Sequence, residues 1–147
     1  MQQLPPDFKE FLQLLNKHGV EYMVVGGYAV GFYGYPRPTG DIDIRIAVQL
    51  DNAGRVVEAL QEFGFGNAQL EPYLFLDTKN MVRLGIPPMK IEILTEISGV
   101  QFAECYHRRL TAQLEDVQVP FIHIDDLRRN KAASGRAKDM DDLEKLS

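Results

Sequence analysis

Hydrophobic positions at the start of the chain recur at helical spacing and then form a short, nearly continuous run. Within residues 5–18 the large apolar side chains fall on one face of a helix, and these are Phe8, Phe11, Leu12 and Leu15. Gly19 follows and is predicted to end this helix. Residues 20–25 are short, apolar and rich in β-branched side chains, which predicts a buried strand. The chain therefore begins with a helix that leads into a strand of the core.

Polar and apolar residues alternate strictly in residues 41–48, which predicts a second strand with one face in the core. Between the two strands we expect a short helix at 28–33 and a loop at 34–40, because two prolines interrupt any regular element there. A longer helix is predicted to run to about residue 63 from Asp51 or Asn52, either of which can cap it.

The second half of the sequence predicts further strands and helices. In order these are strands at 73–77, 81–86 and 90–95, a helix at 99–112, a strand at 117–124, and a final helix from Asp125 that is interrupted near Gly135. Pro120 favours an edge position for the strand that contains it. This order of elements predicts an α+β fold, with a mixed β-sheet, helices packed mainly on one face, and a short helical C-terminal tail.

The length of 147 residues fits one domain. We expect a single domain over residues 1–147, with its core at about 20–124 and C-terminal helices at 125–147. No apolar run approaches the ~18 residues that a membrane-spanning helix needs, and the N-terminus does not resemble a signal peptide. We therefore expect a cytoplasmic protein that does not enter a membrane. The single cysteine, Cys105, excludes an internal disulfide.

The alternating strand at 41–48 carries two acidic side chains, Asp41 and Asp43, on the same face. Two carboxylates held this close repel each other unless a cation lies between them. Hard oxygen ligands favour Mg²⁺ or Mn²⁺, and protein-bound Mg²⁺ usually completes its shell with water and substrate phosphate. The pair therefore predicts a metal and a phosphate-bearing substrate, although an acidic strand face in solvent is the more frequent explanation of such a pattern.

Two further features strengthen the metal interpretation. Gly26 and Gly27 follow the first strand directly, where exposed backbone N–H groups can bind the phosphates of a nucleotide. Glu92 lies in the strand at 90–95, where Ile91 and Ile93 are predicted to face the core. If this strand neighbours 41–48, Glu92 meets the two aspartates and supplies a third carboxylate; otherwise it is an exposed acid on an edge strand.

The pattern of strand, Gly-Gly, helix, loop and Asp-x-Asp, followed by a strand with an acid between apolar residues, resembles the DNA polymerase beta–type nucleotidyltransferase superfamily. The string GGYAVGFYGYPRPTGDIDI at 26–44 is similar to the small, mostly prokaryotic branch related to AbiEii-type toxins and MNT-type proteins of toxin–antitoxin pairs. The string DDLRRNKAASGRAKDMDDLEKL at 125–146 is similar to the same branch.

This resemblance implies a reaction in which an acceptor attacks the α-phosphorus of a nucleoside triphosphate, expected to be ATP, and pyrophosphate leaves. Asp41, Asp43 and Glu92 would hold the metal ions, and Glu92 would also help to deprotonate the acceptor hydroxyl. The backbone at Gly26 and Gly27 would bind the β- and γ-phosphates.

Three other residues are candidate substrate contacts. Arg37 and Thr39 flank a proline just before the carboxylates, and a role on phosphate or acceptor weighs about evenly with a role in the loop itself. Lys131 lies in a predicted helix, where it is either a phosphate contact or an ordinary surface lysine.

The acceptor of the nucleotide is expected to be a protein or an RNA. Larger members of the superfamily add a helical domain that binds the acceptor, and little chain follows residue 125 to take that role. The alternative is therefore a non-catalytic or partner-dependent module that neutralises a partner, such as a ribonuclease toxin of the HEPN type. A third hypothesis is that the protein is a toxin that modifies tRNA ends. Residues 107–138 are locally basic and support it, whereas the net charge of −5 opposes it.

Overall fold

The computed structural model describes residues 4–35, 40–66, 69–77, 81–86 and 89–146, and Arg37 and Thr39 lie outside these ranges. The helices are α1 (Pro6–Lys17), α2 (Gly26–Phe32), α3 (Leu50–Leu60), α4 (Phe102–His107), α5 (Ile124–Ser134) and α6 (Ala137–Leu146). The strands are β1 (Tyr22–Val25), β2 (Asp41–Ile46), β3 (Met81–Ile86), β4 (Met89–Leu94), β5 (Leu110–Leu114) and β6 (Val117–Phe121). A π-helical turn at Gln61–Phe65 extends α3, and a 3-10 helix spans Pro72–Phe75.

The strands form one six-stranded sheet in the order β3-β4-β2-β1-β6-β5. β2 pairs in parallel with β4 and antiparallel with β1, while β1 pairs in parallel with β6. The two outer strands, β3 and β5, form antiparallel hairpins with β4 and β6. The predicted α+β fold with a mixed sheet is therefore confirmed, and β2, which carries the aspartates, lies inside the sheet.

The apolar face of β2 explains why this strand is central. Ile42, Ile44 and Ile46 are fully buried and belong to one core cluster with side chains of the flanking helices, among them Leu12 of α1 and Leu60 of α3. Because successive strand residues point to opposite faces, burial of the isoleucines places Asp41, Asp43 and Arg45 together on the other face of the sheet. The core thus fixes which way the acids point.

The expected strand at 73–77 is wrong, because the structure has the 3-10 helix Pro72–Phe75 there. Proline fixes a backbone angle that suits the first turn of a helix, and the turn buries Phe75 in the core. A short apolar run can be buried by a single turn as well as by a strand, so the pattern alone does not separate the two.

The expected helix at 99–112 is also wrong in its second half. Helix α4 ends at His107, and the chain continues as β5, which pairs with β6 in a hairpin. Leu114 and Val117 face each other across a tight turn in which Glu115 takes a positive φ of 57°. Cross-strand pairing with β6 therefore overrides the local helical pattern.

The edge position predicted from Pro120 is wrong, since β6 lies between β5 and β1. The N–H of Ile122 donates to the Val24 carbonyl of β1, and the nitrogen of Pro120, two residues earlier, lies on the same side of β6 and has no proton to donate. The proline therefore shortens the pairing with β1 and does not exclude it. The interruption near Gly135 is confirmed: this glycine has a φ of 69° and ends α5, and α6 begins at Ala137.

Within the described ranges, none of the helices is both long and apolar enough to cross a membrane.

Candidate active site

Two acidic side chains from neighbouring strands meet on the polar face of the sheet. The parallel register of β2 and β4 places Asp43 opposite Glu92, and the antiparallel register of β1 and β2 places Val25 opposite Asp43. Residues paired in this way lie about 5 Å apart. The neighbouring strands that the sequence analysis required for Glu92 are therefore present.

Asp43 is held in an environment that opposes its ionisation. Burial raises its pKa to about 7, and a hydrogen bond and charge repulsion from Glu92 and repulsion from Asp41 act in the same direction. The positive charge of Lys138 acts in the opposite direction. Asp43 Oδ1 is buried and finds no hydrogen-bond partner among the described residues. A cation at this position would relieve the repulsion and give that oxygen a partner.

Glu92 already has one cationic neighbour, which the sequence analysis did not identify. Arg83 of β3 donates a hydrogen bond from Nε to Oε1 of Glu92 at 2.9 Å, and its Nη2 forms an ion pair with the same oxygen at 2.9 Å. The register of the β3–β4 hairpin places the two residues directly opposite each other. Counting along the predicted strands at 81–86 and 90–95 as a hairpin would have revealed this pair.

The glycines close the site against the end of β1. Helix α2 begins at Gly26, directly after Val25, and Gly26 adopts a φ of 69° that side chains rarely tolerate. A Cβ on Gly26 would lie 2.0 Å from Oδ2 of Asp43. Residue 26 must therefore be glycine for the backbone to approach the carboxylate this closely, and Gly27 continues the same wall.

A cleft of about 530 Å³ opens over the acid pair. Its lining includes Gly26, Gly27, Asp43 and Glu92, together with the basic residues Lys131, Arg136 and Lys138 of the C-terminal part of the chain. The positive charge of Arg136 interacts with both acids. A cleft lined by both acidic and basic side chains suits a polyanion that carries a divalent cation.

Lys131 lines the cleft, but its ammonium group is already paired. Its Nζ lies 3.2 Å from Asp139 and 3.1 Å from Asp142, and all three side chains are buried. Arg136 also pairs with Asp139, at 2.7 Å, and holds the pKa of that carboxyl down at about 2 together with Lys131. These contacts tie α5 to α6, and a contact of Lys131 with phosphate stays a prediction.

The residues present fit a divalent cation at the Asp43–Glu92 pair, on the evidence of the buried Oδ1 without a partner and the raised pKa. Asp41 lies on the same strand face, and its charge acts on Asp43. Across the described part of the chain, no three acidic, histidine or cysteine side chains are already gathered closely enough to hold a metal ion. The roles of Asp41, Asp43 and Glu92 as metal ligands therefore stay predictions.

No protein-family profile matches the chain, and no curated protein matches it in sequence. Solved structures do match its fold. A protein of Thermotoga maritima assigned as a nucleotidyltransferase is 16% identical, with a TM-score of 0.63 over 94% of this chain and 88% of the other. A nucleotidyltransferase-like antigen of Paracoccidioides brasiliensis is 20% identical, with a TM-score of 0.57 over 99% and 78%.

A third structure is the lincosamide antibiotic adenylyltransferase LnuA with lincomycin bound. It is 15% identical to this chain, with a TM-score of 0.59 over 99% of this chain and 98% of its own. At these identities the likeness defines the fold alone. The chain therefore has the nucleotidyltransferase fold, and its chemistry has to be argued from its own residues.

Proposed function

We propose that this protein is a Mg²⁺-dependent nucleotidyltransferase that moves a nucleoside monophosphate from a nucleoside triphosphate, ATP by preference, to an acceptor hydroxyl. The observation that carries the proposal is the half-buried pair Asp43–Glu92, which lies against Gly26 in a cleft that basic side chains also line. The nucleotidyltransferase fold of the structural neighbours supports the same reaction.

In this proposal Asp43, Glu92 and Asp41 hold Mg²⁺, which when bound neutralises phosphate charge and orients the triphosphate. The N–H groups at Gly26 and Gly27 bind the phosphates, while Arg136 and Lys138 balance the charge of the departing pyrophosphate. Glu92 accepts the proton of the acceptor hydroxyl. The acceptor oxygen then bonds to the α-phosphorus, and the bond from that phosphorus to the pyrophosphate oxygen breaks.

We extend the proposal to the acceptor as the sequence resemblance implies: a protein or an RNA, within a toxin–antitoxin pair. A small hydroxyl compound is a second acceptor class. It is favoured because LnuA, which is described as an antibiotic adenylyltransferase, matches this chain over 98% of its own length.

The experiment combines the purified protein with each of the four labelled nucleoside triphosphates, Mg²⁺ and either cell lysate or a panel of small hydroxyl compounds. Transfer of label to an acceptor is expected for the wild type and for Asp51→Asn, which changes an exposed acid on α3. Asp43→Asn should abolish transfer. Absence of label with every nucleotide, together with unchanged nucleotide affinity in Asp43→Asn, would refute the proposal.

The second candidate is a partner-dependent module that neutralises a HEPN-type toxin by binding. The ion pair between Arg83 and Glu92 favours it, because the third carboxylate is held by the protein's own arginine. One variant distinguishes the two candidate functions. Neutralisation that persists in Asp43→Asn indicates binding, whereas neutralisation that disappears with the transfer of label indicates catalysis.

A further inference from the structure

Arg45 is a buried cation on the polar face of β2. It follows Asp43 by two residues and therefore lies on the same face of the sheet, about 7 Å farther along the strand. Only 7% of its surface is exposed. Buried arginines are normally paired with a carboxylate, because an unpaired buried charge is costly.

The guanidinium of Arg45 has a carbonyl and an aromatic ring as neighbours, and one of its buried donors has no partner among the described residues. Its Nη1 donates to the carbonyl of Ile46, and its guanidinium lies over the ring of Phe102 at 5.1 Å. Its Nε is buried with no hydrogen-bond partner in the described structure. None of the ion pairs in the described part of the chain includes Arg45, and Glu96, whose charge acts on it, stays exposed.

Arg45 lines a cavity of about 560 Å³. The walls combine apolar side chains with polar ones, and they include Val48, Thr95, Glu96, Val100, Gln101 and Phe102. The space is open to solvent on one side, and its volume lies within the range of about 300–1,000 Å³ that small-ligand sites occupy. Glu96 also lines the cleft over Asp43, so the segment that follows β4 forms a wall of both spaces.

We propose that this cavity is a binding site for a small organic molecule that carries a carboxylate or phosphate group, with the anionic group on Arg45 and the remainder against Phe102 and Val100. A planar guanidinium matches both anions in geometry and charge. The site does not depend on the proposed reaction at Asp43, since none of its features involves the acid pair.

The competing explanation is structural: Arg45 stays buried to cover Phe102 and to bond the Ile46 carbonyl. That role would make the arginine favourable in the free protein. The ligand role instead predicts that an isosteric apolar side chain, as in Arg45→Met, stabilises the free protein by removing an uncompensated buried charge.

The test is a two-dimensional NMR titration of the ¹⁵N-labelled full chain. Benzoate and phenyl phosphate present the two anionic groups on the same ring, and benzamide is the neutral counterpart of benzoate. Saturable shifts at the amides of Thr95, Gln101 and Phe102 with an anion, and not with benzamide, are expected. The anion that binds more tightly identifies the ligand class. Equal responses to benzamide, no response to either anion, or shifts confined to Gly26 and Gly27 would overturn the proposal.

Arg45→Met should weaken binding of the preferred anion by about tenfold or more, as loss of a charged hydrogen bond does. It should also raise the melting temperature of the free protein. Arg45→Gln serves the same purpose if the methionine variant does not fold. The control is Arg109→Met, which removes an exposed arginine that lies over Tyr106 at 3.8 Å, and it should leave anion binding unchanged. Unchanged affinity in both Arg45 variants would contradict the proposal.

Discussion

Gly26 and Asp43 are in such close contact that a single methyl group would not fit between them: a Cβ on Gly26 would lie 2.0 Å from Oδ2 of Asp43. The contact joins the end of β1 to the polar face of β2. It explains why the site needs a glycine at this position, in terms of space as well as backbone angle.

Gly26→Ala should therefore lose both stability and activity. The positive φ costs an alanine about 1 kcal/mol or more, and the clash must displace the Asp43 carboxylate. We expect a lower free energy of unfolding in denaturant titrations and loss of nucleotidyl transfer. The matched control is Gly54→Ala in α3, where a Cβ meets nothing within 4 Å. It should be neutral or stabilising. Equal behaviour of the two variants would count against the close contact.

The second prediction concerns the pH dependence of stability in the metal-free protein. The pKa of Asp43 is about 7 in the folded chain, against an ordinary value of 3.8. The folded state therefore binds the proton more tightly, and this contribution to stability is lost as the pH rises from about 4 through about 7. Asp43→Asn has no ionisable group at this position, so it does not lose this stability as the pH rises. It should match the wild type at pH 4 and exceed it at pH 8 by on the order of 3 kcal/mol.

Denaturant titrations of both proteins between pH 4 and 8 in the presence of a chelator measure this difference. Mg²⁺ should narrow the gap at pH 8, because a cation stabilises the ionised carboxylate. Asp125→Asn, which changes an exposed acid of α5, is the control. Parallel pH curves for the wild type and Asp43→Asn would show that Asp43 does not titrate in this range.

The third prediction concerns the competition between Arg83 and a metal ion for Glu92. Arg83 contacts Oε1 of Glu92 through one hydrogen bond and one ion-pair contact, each of 2.9 Å, and its positive charge opposes a nearby cation. Arg83→Gln should therefore bind Mn²⁺ several-fold more tightly in titrations followed by electron paramagnetic resonance. Arg55→Gln removes an exposed arginine of α3 and makes the same change in net charge. Weaker Mn²⁺ binding in Arg83→Gln alone would instead show that Arg83 positions Glu92 for the metal.

The fourth prediction separates a structural role of Lys131 from a phosphate contact. Lys131→Met removes the ammonium group shared by the buried carboxylates of Asp139 and Asp142, while Asp139 keeps its pair with Arg136, and this loss should cost about 3–5 kcal/mol in the free energy of unfolding. Lys145→Met breaks an exposed pair with Asp141 and should cost under about 1 kcal/mol. If Lys131→Met instead keeps its stability and loses nucleotide affinity, the lysine contacts phosphate directly.

The sequence predicts one part of the site, the direction of Asp41 and Asp43, because polar and apolar residues alternate along β2. The fully buried isoleucines of β2 fix the side on which Asp41 and Asp43 project, and that pattern needs no knowledge of the neighbouring strands. The prediction that Glu92 meets the aspartates was conditional, because it depends on the parallel pairing of β2 with β4. Strand order is a property of the whole sheet, and a local pattern does not contain it.

Other features depend on contacts between segments that are distant in the chain. Residues 110–114 form a strand because β6 pairs with them, although their local pattern favoured a helix. The isolation of Arg45 is visible in the structure alone, since it depends on which side chains of α4 and of the segment after β4 cover it. In the sequence, Arg45 is one of the alternating polar residues of β2, like Asp41 and Asp43. In the structure it differs from an ordinary surface arginine because it is buried and forms no ion pair among the described residues.

The order of strands in the sheet also determines when the acidic site forms during folding. Val25, Asp43 and Glu92 lie on β1, β2 and β4, and long stretches of chain separate β2 from β4. Such pairings require long loops to close first and are slow steps in folding. A chain still under synthesis that has not yet produced β4 carries both aspartates but no opposite glutamate. The acid pair therefore assembles late, and chemistry that depends on it begins only when the central sheet is complete.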